Sequence, residues 1–129
     1  MIVIAIIGII SAIALPKFVS LIRKSGEGSS KGNLGAIRSS LSIYYGDMEG
    51  QYPQQLAALT LSGKYLPSIP PAKTPNYHPD ASAEVDGVFS AAGEAGGWVY
   101  DNVFADSNYG MGIVNCSHTD TKGSLWTAY

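Results

Sequence analysis

From residue 2 to residue 15 every position is apolar except Gly8 and Ser11, and the first charge is Lys17. A run with no polar face predicts a helix that is apolar all round, and a small head has little interior in which to hide one. At 1.5 Å per residue, the uncharged stretch to Pro16 makes a helix of about 24 Å, short of a hydrocarbon core of about 30 Å. Continuing to Ile22 gives about 33 Å, with Pro16 inside and Lys17 placed to snorkel. Three readings follow. One is a cleaved secretory signal, with Ala12-Ile13-Ala14 as a small-x-small site but no basic region before it. The second is a buried core helix, and the third a membrane helix that stays in the mature protein.

Beyond Pro16 the apolar positions take up a helical rhythm. Phe18, Val19, Leu21 and Ile22 come first; Leu34, Ile37, Leu41, Tyr45 and Met48 follow at spacings of 3, 4, 4 and 3. The joint, Ser25-Gly26-Glu27-Gly28-Ser29-Ser30-Lys31-Gly32, holds three glycines, each costing up to about 1 kcal/mol relative to alanine. It predicts a soft or broken segment between an apolar stem over residues 1–24 and a head over residues 25–129. Gly46, Gly50 and Pro53 end the helical region. Residues 54–64 predict one more short helix, 65–71 an extended connector, and 72–84 a loop. Strand-like runs occupy 85–91, 97–104, 110–116 and 124–129, separated by turn residues. The expected class is α+β, a long N-terminal helix packed on a small antiparallel sheet. Its head core is expected from Leu34, Ile37, Leu41, Tyr45, Tyr52, Pro53, Trp98, Tyr100 and Trp126.

Charge sharpens the picture. Only 14% of the 129 residues are charged, against roughly 25% in soluble domains. A net charge of −2 without a dense basic face argues against nucleic acid as a partner. Residues 1–40 carry five basic side chains against one acid, and the remainder three against nine. Taken alone, the basic cluster after the apolar run would draw the head into the cytoplasm; a basic leader upstream would reverse that.

Candidate chemistry is sparse. A single cysteine, Cys116, excludes an intrachain disulfide, a Cys-rich zinc site and haem attachment through C-x-x-C-H. His78 and His118 lie 40 positions apart in polar turns and read as surface residues. Cys116 with His118 forms a conceivable nucleophile pair, set against Cys116 as a small core residue. Asp101, Asp106 and Asp120, with Asn102 and Asn108, offer oxygen ligands without EF-hand spacing, so solvated turn acids are preferred over a weak calcium site. Gly26-Glu27-Gly28-Ser29-Ser30-Lys31 lacks the final glycine of a phosphate loop. With no catalytic constellation, the chain reads as a non-enzyme without a cofactor.

The segment Ile2-Val3-Ile4-Ala5-Ile6-Ile7-Gly8-Ile9-Ile10-Ser11-Ala12-Ile13-Ala14-Leu15-Pro16-Lys17-Phe18 resembles the N-terminal helix of type IV pilins and type II secretion pseudopilins. That family's pattern runs G-F-T-L-I-E-L, then Met or Leu, then I-V-I-A-I-I-G-I-L-A-A-I-A-x-P-x-F. Met1 falls at the Met/Leu position, so the peptidase site, the methylated Phe and the acid are expected upstream of it. Gly50-Gln51-Tyr52-Pro53, followed by Leu56, Leu59, Lys64-Tyr65-Leu66 and Ile69-Pro70, resembles the family's stretch leaving the long helix. Gly96-Gly97-Trp98-Val99-Tyr100 and Gly112-Ile113-Val114-Asn115-Cys116 resemble, more weakly, strands of its head.

The resemblance implies a structural subunit of a helical filament, either a secretion pseudopilus or a type IV pilus. The stem residues Ile2, Val3, Ile4, Ile6, Ile7, Gly8, Ile9, Ile10, Ile13, Leu15, Pro16 and Phe18 would lie in the bacterial inner membrane, with a periplasmic head, and then pack into the filament core. Implied partners are further copies of the chain, an inner-membrane assembly platform and a prepilin peptidase. The lone Cys116 departs from the C-terminal disulfide loop of many pilins, which tilts the expectation towards secretion filaments. The L-P-x-D-P-W-G-like stretch of major pseudopilins is absent. The alternative is a signal-anchored periplasmic binding domain that forms no filament.

Overall fold

The computed structural model describes residues 1–129, apart from the side chain of Ala91. One helix, α1 (Ile2–Asp47), runs for 46 residues, about 69 Å at 1.5 Å per residue. A 3₁₀ segment (Leu56–Gly63) follows, kinked at Leu61 and Ser62. Five short strands come next: β1 (Ala72–Thr74), β2 (His78–Ala81), β3 (Glu84–Asp86), β4 (Trp98–Tyr100) and β5 (Gly112–Val114). Strands β1 and β2 form an antiparallel hairpin, while β4 lies between β3 (parallel) and β5 (antiparallel). The class is α+β, a long N-terminal helix on small sheets, with the three-stranded sheet mixed.

The second half of α1 supplies one wall of the core. Leu34, Ile37 and Leu41 are buried together with Leu56, Leu59, Trp98, Tyr100, Val114, Cys116 and Trp126. The two large polar-tipped aromatics of β4 enter because each finds a carbonyl: Trp98 Nε1 donates to Pro70 O at 2.8 Å and Tyr100 OH to Pro53 O at 2.7 Å. Tyr52 packs at the margin of this core, and Pro53 is buried.

Several expectations are corrected. The glycine-rich joint is unbroken helix, because tertiary contacts outweigh its poor propensity. Glu27 and Ser30 are buried; Ser30 Oγ accepts from Lys73 N at 2.5 Å and donates to Lys73 O at 2.6 Å. Gly26 is needed as glycine, since a Cβ there would stand 2.9 Å from Pro75 Cγ. Tyr45 lies outside the core, exposed and against Tyr52 with ring centres 4.5 Å apart. The inward position is Tyr44, against Tyr65 at 5.3 Å, because the 3.6-residue turn continues 37, 41, 44 rather than 37, 41, 45. Residues 72–84, expected as loop, contain the β1–β2 hairpin around Asn76 at φ +75°. The last expected strand is instead one bridge, Thr119 to Leu125, and a 3₁₀ turn (Trp126–Ala128) that lowers Trp126 into the core.

Ile37→Ala should lower the stability of the head by about 3 kcal/mol, the usual cost of truncating a buried isoleucine. Ile13→Ala, at a position 68% exposed, should leave the unfolding midpoint unchanged. Denaturation in detergent followed by tryptophan fluorescence measures both, and equal effects would place the stem inside the cooperative unit.

Candidate functional site

Every residue from Met1 to Ser25 is exposed, and burial on α1 begins only at Glu27. The helix therefore leaves the head as a bare rod of about 36 Å. Its surface carries fourteen large apolar side chains, from Met1 to Ile22, none of them covered by the head. All twelve expected stem residues lie on this rod, and Pro16 sits within unbroken helix. Burying such side chains releases about 1.5–3 kcal/mol each, or roughly 20–40 kcal/mol for the set. That exceeds the stability of a typical small domain, about 5–15 kcal/mol. The energetics of the chain are thus governed by what covers this rod. Among the described residues it is the one helix long and apolar enough to cross a membrane.

The rod is held to the head by polar contacts along one side of α1. The Glu27 carboxylate accepts from Thr121 N at 3.0 Å and from Thr121 Oγ1 at 2.6 Å. One turn on, Lys31 Nζ donates to Asp120 Oδ2 at 2.6 Å and lies 3.8 Å from the centre of the Tyr129 ring. Tyr129 OH also donates to Asp120 Oδ2, at 2.6 Å. Asp120 Oδ1 meanwhile accepts from Lys122 N and Ser124 N, which closes its own turn. Further along, Arg38 Nη2 donates to Gly112 O at 3.0 Å and to Tyr129 O at 2.6 Å. The hydrogen bonds from Lys31 and Tyr129 hold the Asp120 carboxyl well below the usual carboxylate range. Burial disfavours the Lys31 charge, but its bonds to Asp120 and Tyr129 outweigh that and raise its pKa.

The three aspartates considered as cation ligands do not come together in one group. Asp120 is engaged as described. Asp101 is buried, accepts from Val103 N through Oδ1, and has Oδ2 without a hydrogen-bond partner. Burial raises its pKa, and the nearby Asp106 adds to that. Asp106 accepts from the backbone and side chain of Asn108.

The histidines behave otherwise than their spacing suggested. His78 and His118 meet with ring centres 5.6 Å apart. Cys116 and His118 share a side of the chain beyond β5, Sγ to Nδ1 3.5 Å. Cys116 is a core residue, and burial raises its pKa, the reverse of an activated nucleophile. Nothing in the sequence marked these partners, because β2 and the segment after β5 are joined only by the fold.

The chain is 40% identical over 73 residues to fimbrial protein EcpC of Eikenella corrodens. The match covers 54% of this chain and 47% of that protein, so the chain spans about half the length of the relative. No family model and no solved structure matches it.

Asp120→Asn should destabilise the head by about 2 kcal/mol, the scale of hydrogen bonds to a charged group. It falls short of the cost of a fully buried pair because the Lys31 side chain keeps 29% of its surface in solvent. The sign of the pH dependence follows from the two shifts. A depressed Asp120 contributes stability above its ordinary value of 3.8, lost as pH falls through the folded value. A raised Lys31 contributes below its ordinary value of 10.5, lost as pH rises through the folded value. The stability gap between wild type and Asp120→Asn should stay flat between these limits and close outside them, as read by denaturation at a series of pH values.

Proposed function

We propose that the chain is a structural subunit of a type IV pilus-like filament, anchored in the bacterial inner membrane by residues 1–24 before assembly. The head, residues 25–129, then faces the periplasm. The observation that carries this reading is the wholly uncovered stem, rigidly continuous with a helix that is well packed from Glu27 onwards. A rod that is apolar on every side is suited to two surroundings, lipid and a bundle of identical rods. Moving between them keeps the apolar surface out of water, so the transfer has a small hydrophobic cost. Lys17, Arg23 and Lys24 mark where the rod meets the polar boundary in either setting.

The likeness to a fimbrial protein favours a pilus over a secretion pseudopilus, against the tilt drawn from the lone Cys116. The C-terminal segment that many pilins close with a disulfide is here tied to α1 through Asp120, Tyr129, Lys31 and Arg38. A processed N-terminus, an assembly platform and a prepilin peptidase belong to the same reading, on the strength of the family pattern in residues 2–18.

Ile6→Asp or Ile10→Asp should reduce sheared surface filament to background, with the full chain still inserted in the membrane and the head still folded by its tryptophan emission. Wild-type filament yield from both variants would mean that the stem is not the assembly core. A folded, membrane-held wild-type chain whose stems never crosslink to one another would favour the anchored binding domain instead.

A further inference from the structure

Four side chains of different segments converge on one point of the head surface. His78 opens β2, Glu94 lies in the loop before β4, and Cys116 and His118 follow β5. Their ligand atoms, Nε2, a carboxylate oxygen, Sγ and a ring nitrogen, all lie within 4.8 Å of one another. Glu94 Oε2 is 3.1 Å from His78 Nε2 and 2.9 Å from His118 Nδ1, and Cys116 Sγ is 3.5 Å from His118 Nδ1.

A second observation sets the cluster apart from an ordinary ion pair. The His78 side chain is only 10% exposed, and its buried Nε2 makes no hydrogen bond despite the carboxylate oxygen 3.1 Å away. The nitrogen and the oxygen are aimed beside each other, as donors to a shared centre are. Tetrahedral zinc, with bonds of about 2.0–2.3 Å, sets its ligand atoms roughly 3.3–3.7 Å apart. The three spacings of 2.9, 3.1 and 3.5 Å are within about 0.4 Å of that range, and the remaining three are no longer than 4.8 Å, so a bound ion would draw those donors inward.

The surroundings hold the donors in place. Ser117 donates to Glu94 Oε1 from its hydroxyl and, at 3.3 Å, from its backbone N–H, leaving Oε2 for the histidines. The His118 ring stacks on Tyr77, with centres 4.0 Å apart and planes 13° apart. Asn115 anchors the Glu94 loop, its Oδ1 accepting from Gly93 N at 2.7 Å and its carbonyl from Gly96 N at 3.2 Å. Gly96, at φ +74°, allows His78 to approach; a Cβ there would stand 3.0 Å from His78 Cβ. Supports of this kind fix the orientation of metal ligands. Glu94 and His118 are exposed on their outer sides, which leaves an entry path.

We propose that His78, Glu94, Cys116 and His118 form a four-ligand site for a borderline-soft divalent metal of the zinc class. Two imidazoles and a thiolate disfavour calcium and magnesium, which take oxygen donors. Four protein ligands with no open position make the role structural. The metal ties the β1–β2 hairpin, the loop before β4 and the segment after β5 into one unit. The site is independent of the assembly reading.

The test uses the full chain in detergent, reduced, stripped with a chelator and titrated with Co²⁺. One equivalent should give the intense visible bands of four-coordinate cobalt and a sulfur-to-cobalt charge-transfer band, both erased by one equivalent of Zn²⁺. Cys116→Ser should lose the charge-transfer band. Ser117→Ala, which keeps all four ligands, should weaken binding about 10-fold, and His78→Gln or Glu94→Gln by more. Near-UV circular dichroism establishes that each variant is folded, and His78→Gln carries the test where Cys116→Ser is not. Absence of the bands in folded wild type, or unchanged binding in folded His78→Gln, would overturn the site and leave a histidine–carboxylate cluster without metal.

Discussion

The seam formed by Leu34, Ile37 and Leu41 against Trp98, Trp126 and Leu59 is the contact on which the rest of the molecule depends. It fixes which side of α1 faces the sheet, and through an unbroken helix it fixes the direction in which the first 25 residues leave the head. A joint at the glycines would have uncoupled the two, and the head could then have swung on its stem. Glu27, Ser30 and Gly26 close off that freedom by docking the glycine-rich turns on Thr121, Lys73 and Pro75. The apolar rod is therefore presented as a rigid continuation of a folded domain. Copies packed through their rods would carry their heads in a repeated orientation.

The parts of this architecture that were legible in the sequence are those set by local pattern. The apolar run, the 3–4 spacing of Leu34, Ile37 and Leu41, and Gly50 and Pro53 after Asp47 each express one element's own chemistry. The glycines of the joint argue locally for a break, while the contacts that override them come from residues 43 to 94 positions away. From Leu41 a helical spacing reaches Tyr44 as well as Tyr45, and only the packing against Tyr65 decides which of the two faces inward. The β1–β2 hairpin was hidden by Pro75, Asn76 and Pro79, whose composition is that of a loop.

The functional features divide along the same line. The stem was readable because a membrane or a bundle of rods asks only for apolar surface, which composition displays directly. The Lys31–Asp120–Tyr129 clasp and the His78–Glu94–Cys116–His118 cluster were not, because each joins segments far apart in the chain. A histidine 40 positions from another gives no sign of a shared site until a hairpin and a sheet edge are placed side by side.

Both clusters act on the same stretch, residues 116–129. A single cysteine cannot close a covalent loop. Yet the stretch is tethered at both ends, by Cys116 and His118 beside β2 and by Asp120 and Tyr129 on α1. Between them, the bridge from Thr119 to Leu125 and the buried Trp126 set its path. A charged pair and a metal respond to different conditions, the first to pH and the second to metal supply. Were Asp120 to lose Lys31, the far end of the stretch would still be held by Arg38 on the Tyr129 carbonyl and by Trp126 in the core. Were the metal cluster lost, the near end would still leave from β5, where Asn115 N donates to Gly97 O at 2.9 Å. The two anchors thus act at opposite ends of the segment that covers the helix seam, and each has a metal-free or charge-free contact beside it.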